Sequence, residues 1–126
     1  MAENVHQVIT TEAYKQSLVN LAVESWRFGR VFDRMLLKLD AVEQARYQNQ
    51  YRWFVKKVDE SLADVGLNIV NVEGQMYDPG IAATPLNIGE FGADDKLYVE
   101  QMIEPIIMSN DGLVRSGTVM LKKVVL

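Results

Sequence analysis

The chain has no cysteine, which excludes disulfides, thiolate nucleophiles and cysteine-ligated zinc. It has one histidine, His6, too few for the usual set of zinc ligands. His6 stands among the first residues and reads as a solvated tail residue, not the rigidly held base that a Ser-His-Asp centre needs. The patterns GxGxxG, GxxxxGK[ST] and GxSxG do not occur. No apolar run approaches the roughly 18 residues of a membrane helix. The amino terminus lacks the basic-then-apolar order of a secretory signal. A formal charge of −4 gives no clustered basic surface for nucleic acid. The carboxylates are scattered, with Asp94-Asp95 reading as a solvated turn. No enzyme chemistry, metal or cofactor is expected, nor any membrane or nucleic-acid partner. A reducing cytoplasm fits this composition.

What is present is a chain of 126 residues with 48% hydrophobic content, enough for one modest core. It divides near Gly66, into residues 1–66 and 67–126. Between Thr11 and Gly66 there is no proline and a single glycine, Gly29. All three prolines and most glycines follow. The expected class is therefore α+β: a long helix and a second helix, then a small, mostly antiparallel β domain.

Thr10 or Thr11 is a plausible helix cap. From there Leu18, Leu21, Ser25, Phe28, Phe32, Met35, Leu39 and Val42 recur at alternating steps of three and four, with Ser25 the clear polar break. That is an a/d heptad seam. A helix over 12–47 is about 50 Å long at 1.5 Å per residue. Asn49 or Gln50 is expected to bend the chain into a second helix, with Tyr51, Phe54 or Val55, Val58, Leu62 and Val65 as its seam. That helix is expected to cover the first around Met35 to Val42 and not to reach far above Phe28. One reading is a monomeric helical hairpin. Self-association is favoured, because the upper seam would otherwise stay wet. The expected homodimer interface is Leu18, Leu21, Phe28, Phe32, Met35, Leu39 and Val42. Trp26 and Trp53 lie off the seam and are expected to pack within the chain.

Gly66 reads as the glycine that ends the second helix. Leu67 to Val72 alternates as a strand, and Tyr77-Asp78-Pro79-Gly80 is turn chemistry. Leu97 to Ile107 is strand-like, with Pro105 placing it at an edge or bulge. Asn110-Asp111-Gly112 signals a hairpin. Leu113 to Val125 is either a strand pair or one long bent strand, and the whole is expected to be a small meander. Met102, Met108 and Met120 are expected to fill the core.

Several segments resemble the GrpE family. Met35-Leu-Leu-Lys-Leu-Asp-Ala-Val-Glu-Gln-Ala45 is similar, without a gap, to that family's LLPVLDNLERA, matching at Leu36, Leu39, Asp40, Glu43 and Ala45. Leu21 to Phe32 resembles the charged and aromatic helix before it. Leu62-Ala-Asp-Val-Gly66 and Gly74-Gln-Met-Tyr-Asp-Pro79 resemble its LxxxG and GxxFDP signatures. Leu113-Val-Arg-Ser-Gly-Thr-Val119 falls on its VLRPAMV-like stretch. The resemblance covers the chain from about residue 15.

It implies a dimer of paired long helices joined by a short four-helix bundle, each protomer carrying a β wing. In that family the wing binds the ATPase domain of a DnaK-type chaperone and releases ADP, without catalysis. Arg115, Val119, Leu121 and Asp78 are the wing positions implied to meet that partner. Some positions depart from the pattern. Ala82-Ala83-Thr84 replaces a His-Glu-Ala triplet, Ile106-Ile107 a glycine-aromatic pair, and Gly112 an arginine. These departures motivate a second reading: a GrpE-derived dimeric scaffold or adaptor with a different protein partner and no exchange activity.

Overall fold

A computed structural model describes residues 2–125, with side chains described over 11–125. The chain forms two compact units, Met1–Gly66 and Leu67–Leu126. The first is two α-helices and the second is built of short strands, an α+β chain.

Helix α1 spans Ala2–Leu36 and α2 spans Ala41–Ala63. Two expectations are corrected here. Helix α1 begins before Thr10 and Thr11, in a stretch without glycine or proline to stop it. His6 falls within residues 2–10, whose side chains lie outside the described residues. The long helix also does not run to 47, and the bend is not at Asn49 or Gln50. It breaks after Leu36, because Asp40 takes an extended backbone (φ −67°, ψ 166°) and its carboxylate accepts from the Glu43 N–H at 2.9 Å. An Asp followed three residues later by Glu is a helix-start signature, written in the sequence inside the seam. The earlier break makes α2 23 residues long, so it reaches farther along α1 than expected. Its end is as read: Gly66 adopts φ +75°, where a side chain would be strained, and donates to the Ala63 carbonyl at 3.0 Å.

The β unit is two three-stranded sheets rather than a meander. In chain order the strands are β1 (Leu67–Val70), β2 (Ala83–Pro85), β3 (Leu97–Glu104), β4 (Ile106–Ser109), β5 (Gly112–Arg115) and β6 (Gly117–Lys123). One sheet has the order β1-β4-β5, the other β2-β6-β3. The pairings Leu97↔Lys123 through Ile107↔Arg115 to Ser109↔Gly112 trace one long hairpin. Its turn is Asn110-Asp111, as the sequence signals. Each arm breaks once, at Pro105 and at Ser116, and the halves beyond the break enter the other sheet. The bent-strand reading of Leu113 to Val125 is the one realised, since β5 and β6 do not pair. The corner is tight: a Cβ on Gly117 would meet the Glu104 carbonyl oxygen at 2.7 Å.

The core of this unit follows strand alternation. Leu97 and Val99 of β3, and Gly117, Val119 and Leu121 of β6, are buried. A register shift between Val99 and Gln101 puts Met102 back on the buried side. Its N–H donates to the Glu73 carboxylate at 3.3 Å. Met102 is therefore core, while Met108 and Met120 are half-buried. Strand β1 stops at Val70, two residues short of expectation, because the Asn71 side chain accepts from the Glu73 N–H at 3.0 Å and turns the chain.

Candidate functional site: an apolar face on the helical unit

Helices α1 and α2 lie against each other, and the Tyr51 side chain of α2 reaches onto Gly29 of α1. A Cβ there would collide with the Tyr51 hydroxyl, and Tyr51 Cζ would stand 3.0 Å away. Phe32 stacks on the same ring, with centroids 5.6 Å apart. The missing side chain at Gly29 thus leaves room for the Tyr51 ring, at a cost of about 1 kcal/mol relative to alanine in a helix. Further along, Leu18 and Ala22 share a shallow cavity of about 250 Å³ with Val58 and Leu62. The second helix therefore covers α1 well above Phe28, contrary to expectation.

This pairing splits the seam. Leu18, Phe32 and Leu39 are half-buried, whereas Leu21, Phe28, Met35 and Val42 are 64%, 65%, 59% and 81% exposed. Tyr14, seven residues before Leu21, is also exposed. So α1 carries an outward line, Tyr14, Leu21, Phe28 and Met35, spaced by seven. Such a line drifts only about 20° per repeat on a straight helix. Of the buried positions, Ala22 and Leu36 lie about 100° round the helix from this line, and Val19 and Val23 about 160°. The sequence reading missed this stripe, although its steps of three and four were legible. A second cavity of about 170 Å³, lined by Phe28, Phe32, Gln50, Tyr51 and Phe54, adjoins the first through Phe54. Phe54 is itself 41% exposed, so the outward line and the inter-helix groove form one apolar face.

The tryptophans differ from each other. The Arg30 guanidinium lies 4.3 Å over the half-buried Trp26 ring. Trp53 is exposed, with the Lys57 ammonium 5.2 Å over it, so the expectation that it packs inside the chain is corrected. Partial burial raises the Asp59 carboxyl above its ordinary range.

In the β unit the implied partner-binding positions do not converge. Val119 and Leu121 are buried, on the inward side of β6, and no partner can touch them without opening the sheet. They are corrected to core residues. Arg115 is half-buried and pairs with Glu104 at 3.3 Å. Asp78 caps its own turn, accepting from the Gly80 N–H at 2.8 Å. Ala83 and Thr84, within the replaced triplet, form β2 and run parallel to β6. Nothing in the sequence signalled this strand. The same holds for Asn87, whose side chain both donates to the Leu121 carbonyl and accepts from its N–H, each at 2.9 Å. Asp95 accepts from the Gly92 N–H and from Lys123 at 3.1 Å, and these contacts hold its carboxyl below the usual range.

Among the described residues no group of three or more His, Cys, Asp or Glu side chains is placed to hold a metal. No described helix is long and apolar enough to cross a membrane. No known family, curated protein or solved structure matches the chain.

Proposed function

We propose that the chain acts as a homodimeric, GrpE-like exchange factor that promotes ADP release from a DnaK-type chaperone. The observation that carries the dimer is the outward line Tyr14, Leu21, Phe28 and Met35, continuous with the groove at Phe54. A second copy of the same face covers it with matched spacing, as a two-fold interface requires. The partner assignment rests on the resemblance in the order helix, Asp40-Ala-Val-Glu43, Gly66 and β unit. The action is a population shift: the β unit binds the open nucleotide cleft better than the closed, ADP-holding one. No catalytic side chain is needed for that. Saturating protein is expected to speed the release of labelled ADP from the ATPase domain of its own organism's chaperone. An unchanged release rate with a demonstrably dimeric protein rejects this activity.

A second reading, a dimeric scaffold for another protein, is favoured by one set of facts. Of the four implied wing contacts, two are buried, one caps its own turn and one is paired with Glu104. Affinity purification separates the readings. Recovery of a DnaK-type chaperone alone, lost on adding ATP, supports exchange, while a different recurrent partner supports the scaffold.

A further inference from the structure

Charge is distributed unevenly along the helical hairpin. Residues 27–57, which hold the end of α1, the connection and most of α2, carry eight basic side chains and three acidic ones. The flanking stretches 11–26 and 58–66 carry one basic side chain, Lys15, and five acidic ones. Because α2 turns back beside α1 and brings Leu62 to Leu18 and Ala22, those two stretches share one end. The hairpin is thus basic toward its closed end and acidic at its open end. Its apolar face also has a midpoint on each helix. On α1 the line Tyr14, Leu21, Phe28 and Met35 is centred at Glu24 and Ser25. On α2 Arg46 and Asp64 are both exposed and 18 residues apart, about five full turns. They therefore share one side of α2, about 80° round from Phe54 and away from Tyr51, at the rim of the face. Their midpoint is Val55. Since Tyr51 lies on Gly29 and Leu62 beside Leu18, Val55 stands level with Ser25, and the two midpoints coincide.

We propose that two closed hairpins stack face to face and antiparallel, α1 on α1 and α2 on α2, about a two-fold axis beside Ser25 and Val55. Tyr14 then meets the partner's Met35, and Leu21 meets the partner's Phe28. Arg46 comes opposite the partner's Asp64, twice per dimer. Each acidic open end lies over a basic closed end, whereas stacking with closed ends together sets basic on basic. Beside the axis Glu24 is already paired with Arg27 at 3.3 Å, so no lone charge meets its own copy. The occupant is a second copy because the charge pattern that complements this face is the same face reversed. This orientation rests on the self-association proposed above, not on the exchange activity.

Charge reversal tests the pairing. Arg46→Asp and Asp64→Arg each set like charges opposite one another at two places in the dimer, and each is expected to weaken it about tenfold. The double variant restores opposite charges and should dimerise within about twofold of the parent chain. Within one copy the two sites are about 27 Å apart, so the rescue cannot come from a contact inside the chain. Added salt should weaken the parent dimer, because it screens the attraction. Spin labels test the orientation, since the chain has no native cysteine. Ala13→Cys or Leu37→Cys, both at exposed positions, gives one label per copy. Each site lies about 12 residues from the midpoint, so either label alone should report about 36 Å between copies. An equal mixture of the two labelled chains should add a distance below about 20 Å, since packed helices are spaced by about 10 Å. A short distance from either label alone, single variants as tight as the parent, or a double variant no tighter than the singles overturns the orientation and leaves the dimer standing. Light scattering that shows a monomer at every concentration overturns both proposals.

Discussion

The two units differ in how their exposed apolar side chains are arranged: a line spaced by seven on α1, but three different segments, at Met76, Leu86 and Leu113, in the β unit. In the β unit Val99, Met102, Ile107 and Val119 are all at 0% exposure. In the helical unit Leu21, Phe28 and Met35 are each more than half exposed. The strands close a core among themselves, because β3 and β6 turn alternate side chains inward and β4 adds the consecutive Ile106 and Ile107 just beyond the corner at Gly117. A two-helix hairpin has one shared face, and every further apolar stripe must find cover elsewhere. The β unit thus needs no second copy for its core, whereas the helical unit offers a surface for one.

The largest expected effect tests that contrast directly. Leu21→Glu with Phe28→Glu removes four apolar side chains from a two-fold interface, about 6 kcal/mol of association at about 1.5 kcal/mol each. Light scattering should then show a monomer whose helix content persists when the chain is concentrated. An intact dimer would place the interface elsewhere. These two are preferred to Phe32, whose stacking on Tyr51 belongs to the hairpin itself. Next in size is Ile107→Ala, expected to cost about 3 kcal/mol through the cavity it leaves. Both tryptophans lie in the helical unit, so amide hydrogen exchange on β3 and β6 is the suitable readout. The loss should not change with chain concentration, and a concentration dependence would mean the β core also needs a partner.

The smallest effect is a matter of pH. The folded Asp95 carboxyl is held low by the Gly92 N–H and then by Lys123. Its stabilising contribution is therefore present above its unfolded value, about 3.9. It is lost as pH falls through the lower folded value. Asp95→Asn should lower the unfolding midpoint of the β unit slightly at pH 7, and the gap should close in acid. A gap that widened in acid would reverse the assigned direction.

Several features were legible because they depend on neighbours in sequence. The turn at Asn110-Asp111-Gly112, the stop at Gly66 and the division into helices and strands follow from backbone preference and local spacing. The Asp40 cap was equally local, but the seam continuing past it at Val42 concealed it. The seam shows only which residues share a helical side. It cannot show which of them a second helix will claim, since that depends on where the chain turns back. The wing positions were less accessible still. Val119 and Leu121 have the period of a strand, and neither face of a strand is marked as inner until the opposing sheet is placed.

The heptad-spaced apolar residues, the capping signals and the turns were set by the order of amino acids, because each acts over one or two turns of backbone. Long-range packing settled the rest. The break at Asp40 lets α2 reach back to Leu18, and the Tyr51 ring fills the space beside Gly29. Together they leave Leu21, Phe28 and Met35 outside. Pro105, Ser116 and the close corner at Gly117 divide one hairpin between two sheets and turn Val119 and Leu121 inward. A periodic pattern states that a face is apolar, and only the position of the opposing element states whether that face is already covered.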